Sequence, residues 1–269
     1  MLAYAFMRRA IACGVVLAVV LPLVGSTLVL RRTSMTGDAL SHCSLAGVAA
    51  GLVAGVDPVV GALVACVIAA LSIEGVRRRM PHYADVAIAV VAATGAGLAG
   101  ILSSFAGNTR SLDDYLFGSL VSVSDAELAL VIVLGIATLV VLFVLRRALF
   151  VVSIDEGLAR TCGVRTRLVD VAFAVVVGVV VSISSRTIGS LVVSSMLVVP
   201  VAAALQVARG YRACLGASVG ISLASCLVGI VASYGLGVRP GGAIALVGAA
   251  ALLVAMGVRT LRGRGSHGQ

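Results

Sequence analysis

Thr36-Gly37-Asp38-Ala39-Leu40-Ser41-His42 opens an otherwise apolar segment that continues through Gly47 and Gly51 to Gly55. On a helix, Asp38 and His42 stand one turn apart on a single face. With Asp38 as origin, Ser41 lies about 60° to one side and His42 about 40° to the other, so the three share one polar stripe. Gly47, Gly51 and Gly55 form a GxxxGxxxG ladder, a spacing that lets membrane helices approach closely. The ladder points about 140–180° away from the stripe. One face can pack while the other borders a cavity. An ionisable group near the bilayer centre costs about 2.5–3.5 kcal/mol on insertion scales, so it faces protein or water. A carboxylate beside an imidazole suits a divalent metal, but two ligands do not close a site. The functional reading is therefore metal transit or gating. The alternative makes Asp38, close behind Arg32, an interfacial helix-start acid. Spacing leaves both open.

Around this stretch the chain reads as an all-α polytopic membrane protein. It is 61% hydrophobic and 12% charged over 269 residues, with a mean hydropathy of +1.18. Nine apolar segments can be marked, at about 10–30, 36–56, 59–76, 84–104, 126–145, 168–185, 187–208, 213–234 and 241–258. Each approaches the ~20 residues that cross a bilayer. Only Arg186 and its neighbours divide the sixth from the seventh, so about nine spans are expected, within a range of roughly eight to ten. Tyr115 to Val123 is too short to cross and is expected at the interface or as a re-entrant patch. No polar stretch could bury a core of its own. Residues 1–269 thus form one transmembrane domain, with a polar tail at 259–269 that is expected to fray. Arg8 and Arg9 precede an apolar run as in a signal peptide, but the run reaches Leu30 without a small-residue cleavage site. It reads as the first span.

The net charge of +9 rests on 20 basic residues, all of them arginine. With the loop from Arg146 to Arg167 placed in the cytoplasm, fifteen arginines fall inside and five (Arg8, Arg9, Arg110, Arg186, Arg239) outside. This asymmetry favours an outer N-terminus and an inner C-terminus. It explains the charge better than a nucleic-acid partner does. Cys13, Cys43, Cys66, Cys162, Cys214 and Cys226 form no CxxC pair, so neither a disulfide framework nor a zinc cluster is expected. The chain lacks a GxxxxGK(S/T) phosphate loop, HExxH and GxSxG, and it is not read as an enzyme.

A second constellation runs from Ser153 to Gly163. Ser153 and Glu156 have capping-box spacing, Asp155 adds a first-turn acid, and Gly163 is a helix stop. Ile154, Leu158 and Cys162 recur every fourth residue as a short apolar stripe. Such a helix could dock into a groove on a soluble partner or lie on lipid headgroups. Asp85 reads as a helix-start acid, and Arg186 and Asp170 as path-lining, snorkelling or partner-contacting groups. Pro200 predicts a kink. His82 and His267 have no ligand companions nearby.

These residues resemble the membrane permease subunit of ABC importers for zinc, manganese or iron. The signature is Gly37-Asp38-Ala39-Leu40-Ser41-His42, preceded by Val29-Leu30-Arg31-Arg32. Matching pieces follow in order: Asp85-Val86-Ala87-Ile88, Tyr115 to Leu120, Asp155 to Gly163, and Leu197 to Ala204. The resemblance covers about residues 6–258. Ala84 departs from it, standing where the family often carries an acid, and so does Cys43 after the signature histidine.

The resemblance implies a homodimeric pore in a prokaryotic plasma (inner) membrane. Cytoplasmic ATP-binding subunits would supply the energy, and an extracytoplasmic metal-binding protein would deliver the ion. Asp38, Ser41 and His42 would belong to the metal path. Asp155, Glu156, Leu158, Ala159 and Gly163 would belong to a coupling helix seated on the ATPase. No cofactor is expected in this chain; ATP is bound by the partners, and the divalent metal is cargo. The other functional classes are an ion-coupled secondary carrier without an ATPase and a non-transporting membrane scaffold.

Overall fold

The computed structural model describes residues 5–80, 83–106, 124–238 and 240–264. Tyr115 to Val123, His82, His267, Arg110 and Arg239 lie outside them. Helices occupy Ala5–Leu30 (α1), Thr36–Ala54 (α2), Pro58–Arg79 (α3), Ala84–Ala106 (α4) and Asp125–Ile154 (α5). They continue with Glu156–Thr161 (α6), Thr166–Ile188 (α7), Ser190–Val207 (α8), Tyr211–Leu236 (α9) and Pro240–Arg264 (α10). Among the described residues nine of these are long and apolar enough to cross a membrane, and α6 is the exception.

Local chemistry sets the boundaries. Asp57 caps α3 by accepting from Val59 N at 2.8 Å, with Pro58 at the first helical position. Ser124 and Glu127 close a reciprocal capping box on α5. The sixth and seventh apolar segments are separate helices because Gly189 breaks the chain at φ 92°, a conformation open chiefly to glycine. Pro200 lies inside α8. Helix α5 outruns its apolar segment by passing straight through Arg146 and Arg147 to Ile154. Likewise α10 continues to Arg264, so part of the expected frayed tail is helical.

Helices α1 and α7 form the centre, each 67% buried along its apolar window, whereas α5 is 17% buried and faces outward. The core gathers Leu17, Leu21 and Val24 of α1, Leu40 of α2, Val177 and Val181 of α7, and Leu197 of α8. Opposite ends carry opposite ion pairs. At one end, Arg9 meets Asp125 at 2.6 Å and Arg186 meets Glu127 at 2.6 Å. At the other lie Arg31, Arg77, Arg78 and Asp170. This alternation follows the order expected from the arginine asymmetry.

Candidate metal path

Helix α2 is held on three sides by close backbone contacts. A Cβ on Gly47 would strike Gly61 O of α3 and come within 2.8 Å of Ala62 Cα. A Cβ on Gly95 of α4 would stand 2.9 Å from Cys43 N and 3.1 Å from His42 C. A Cβ on Gly37 would lie 2.6 Å from Leu197 Cδ1 of α8. Gly51 packs against Asp57 and Pro58. Gly55 corrects the expected ladder: nothing lies near it, and its φ of 69° marks the left-handed end of α2. Two glycines pack and the third terminates.

From Asp38 to Ala49, only Asp38, His42 and Leu45 keep partial exposure on α2. They follow i, i+4, i+7 and form a single strip. His42 Nε2 lies 3.7 Å from Asp38 Oδ2, with side chains 40% and 49% exposed respectively. That separation is an ion-pair distance when the imidazole is charged, and it is longer than a hydrogen bond. Ser41 departs from the stripe. It is buried, and its hydroxyl donates to Gly37 O one turn back at 2.9 Å, a local bond common for serine in helices. Among the described residues no three His, Cys, Asp or Glu side chains converge on a metal-sized point.

Beside the foot of α2 lies a charge cluster that sequence reasoning missed. Asp170 of α7 has a fully buried side chain and binds Arg31 at 2.7 Å, Arg77 at 3.2 Å and Arg78 at 3.0 Å. Glu74 adds bonds to Arg77 at 2.9 Å and Arg78 at 2.6 Å. Arg31 also lies over the Phe173 ring at 5.2 Å. Buried charges persist only when paired, and five groups from the end of α1, from α3 and from α7 are paired here, although Arg31 Nη2 is buried without a hydrogen-bond partner. The one available signal was an aspartate and several arginines at ends expected to share one membrane face. Asp170 and Arg186 are thereby accounted for as ion-pair partners. Asp85 sits in the first turn of α4, as a helix-start acid should.

The second constellation forms α6 with a different cap. Ser153 is still inside α5, where its hydroxyl donates to Leu149 O at 2.6 Å. Asp155 caps instead, accepting from Gly157 N at 2.7 Å and Leu158 N at 3.1 Å. A carboxylate is the stronger acceptor and also favours the positive helix N-terminus. Glu156 pairs with Arg160 at 2.6 Å. Ala159 is buried, and Gly163 ends the turn at φ 77°. Ile154 belongs to α5 rather than α6, so the expected stripe crosses a helix break. Leu158 and Cys162 are exposed and uncovered by this chain.

The whole chain has close relatives. A probable metal transport system membrane protein of Treponema pallidum (strain Nichols) is 36% identical over 254 residues, covering 94% of this chain and 96% of that protein. The manganese import system permease protein ScaB of Streptococcus parasanguinis is 26% identical, covering 97% and 94%. The structure of PsaBC from Streptococcus pneumoniae in complex with Fab superposes with a TM-score of 0.83 at 26% identity, covering 95% of each chain. Residues 3–259 match the ABC 3 transport family throughout. With nine membrane-length apolar helices among the described residues and this match along nearly its full length, the chain belongs to the ABC 3 transport family.

Proposed function

We propose that this chain is the permease subunit of an ATP-driven importer of divalent metal ions, with manganese the foremost candidate. Manganese rests on the names of relatives such as ScaB; zinc and ferrous iron share the same ligand chemistry. The observation that carries the reading is the half-exposed Asp38–His42 pair on an otherwise buried helix. One chain offers two ligands, so two copies facing each other would offer four. Such a site would bind transiently as the dimer alternates between outward and inward access, because tight closed coordination would hinder release.

In this reading α6 is the coupling helix, and residues 1–269 act as one permease domain. Its exposed Leu158 would sit in a groove of a separate ATP-binding subunit, with Asp155, Glu156, Ala159 and Gly163 holding the helix in shape. An extracytoplasmic binding protein would deliver the metal. ATP hydrolysis belongs to the partner subunits.

The test is manganese uptake into proteoliposomes containing the chain, its ATPase subunit and the delivery protein. ATP-dependent uptake that falls at least tenfold in His42→Ala, with assembly unchanged, is the expected result. Normal uptake in His42→Ala would remove the pair from the mechanism. Uptake driven by an ion gradient without the ATPase would replace the importer with a secondary carrier. Glu156→Arg should uncouple ATP hydrolysis from uptake; unchanged coupling would leave α6 as a helix resting on lipid.

A further inference from the structure

On the flank built by α1, α5, α8 and α9, three cavities share Tyr211 and Leu215. An apolar cleft of about 330 Å³ runs between α1, α5 and α9 past Leu23, Leu139, Leu142 and Leu149. A second of about 270 Å³ passes Leu30, Ile154, Val201 and Leu205. Tyr211 packs against Phe150 where they meet, with ring centroids 4.7 Å apart. The third, about 750 Å³, is ringed by Arg146, Arg147, Arg209 and Arg212 and has no acidic residue in its lining.

All four arginines are exposed, and none has an ion-pair partner among the described residues. Arg146 lies over the exposed Phe143 ring at 4.2 Å, so its charge stays at the edge of the apolar belt. They stand at the end of the bundle that the arginine asymmetry places in the cytoplasm, where the leaflet carries anionic lipid.

We propose that this flank binds one anionic phospholipid of the inner leaflet. The four guanidiniums hold its phosphate, and the two clefts take its two acyl chains. Guanidinium forks match phosphate oxygens in pairs. A soluble acidic partner could meet the arginines, but it would leave empty the two apolar clefts that adjoin them through Tyr211 and Leu215. One charged cavity adjoining two apolar clefts fits a two-chain lipid better. The flank is also distinct from the metal path, since α2, which carries Asp38 and His42, contributes no residue to any of the three cavities. Ser153 and Ile154 line the second cleft, so the lipid braces the end of α5 directly before α6.

Native mass spectrometry of the full-length chain, incubated with dioleoyl-phosphatidylglycerol or dioleoyl-phosphatidylcholine, tests this. Phosphatidylglycerol should be retained as a single adduct in preference to phosphatidylcholine. R209Q/R212Q should weaken that retention roughly thirtyfold, about fivefold for each basic group. R8Q/R9Q, the same charge change at the opposite end, should stay within twofold of the parent. R209K/R212K keeps the charge but not the fork, so it should retain the lipid better than R209Q/R212Q and less well than the parent, which separates lost binding from lost folding. Leu142→Trp should weaken dioleoyl- but not dihexanoyl-phosphatidylglycerol. Equal retention of both headgroups, or equal loss in R8Q/R9Q, overturns the proposal. So does unchanged phosphatidylglycerol binding in R209Q/R212Q.

Discussion

Asp170 and Asp38 are both carboxylates in helices of the membrane bundle, and their surroundings are opposite. Asp170 has no exposed side-chain surface and three arginines within 3.2 Å. Asp38 is half exposed, with a single imidazole at 3.7 Å. A carboxylate buried among three guanidiniums is closed to an incoming ion, and its work is to tie the end of α1 to α3 and α7. A half-open one keeps its acceptor sites free. The difference separates a structural charge from a candidate ligand, a separation that Asp170→Asn and Asp38→Asn test directly.

The largest effect should come from Asp170→Asn. Removing its charge leaves three clustered guanidiniums facing Glu74 alone, and breaking a buried pair typically costs about 3–5 kcal/mol. Thermal unfolding in detergent should show a large loss or a failure to accumulate folded protein. If Asp170→Asn melts like the parent, the cluster is dispensable and the comparison collapses.

Gly47→Val should come next, at roughly 1–3 kcal/mol for overpacking. Its side chain would meet Gly61 O and Ala62 of α3, displacing the helix that presents Asp38 and His42. Both stability and uptake should fall. Gly55→Ala instead acts at a left-handed helix end with open space around it, so its cost is backbone strain alone. Equal loss from these two variants through helix separation would contradict the division of the ladder.

Asp38→Asn should show the opposite split from Asp170→Asn. Little in the fold depends on a half-exposed group with one distant partner, so stability should stay within about 0.5 kcal/mol. Metal uptake should fall at least tenfold. A stability loss as large as that of Asp170→Asn would make Asp38 a structural charge too.

Much of this was legible in the sequence. Apolar runs located the nine membrane-length helices among the described residues, because a span needs a long run of one character. Polar residues hid the true ends: α5 carries on past Arg146 and Arg147, since a snorkelling arginine does not stop a helix. The Asp38–His42 pair was legible because i, i+4 spacing is local. The Asp170 cluster was not, because its partners are 139 and 92 residues away. Competing acceptors also hid a cap. Ser153 had the right spacing, but it lies inside α5, its hydroxyl turned back to donate to Leu149 O, and Asp155 at the helix break was the better acceptor.

The smallest effect should have the opposite sign, at Arg32. Helix α1 ends with Thr33 N donating to Leu28 O at 2.9 Å and Arg32 N to Val29 O at 3.1 Å. This closure places Arg32 at φ 58°, the left-handed position that glycine usually fills. An ordinary residue there costs about 1–2 kcal/mol, and glycine gives back about 0.5–1 kcal/mol in chain entropy. Arg32→Gly should therefore stabilise by roughly 0.5 kcal/mol, a small rise in melting temperature. Its neighbour provides the contrast: Arg31 binds Asp170 inside the cluster, so Arg31→Gln should destabilise strongly. Two adjacent arginines then move stability in opposite directions, as burial and pairing require. A melting temperature that falls in Arg32→Gly would mean that this exposed charge anchors the turn at the membrane surface. The strained backbone would then be the cost of holding it there.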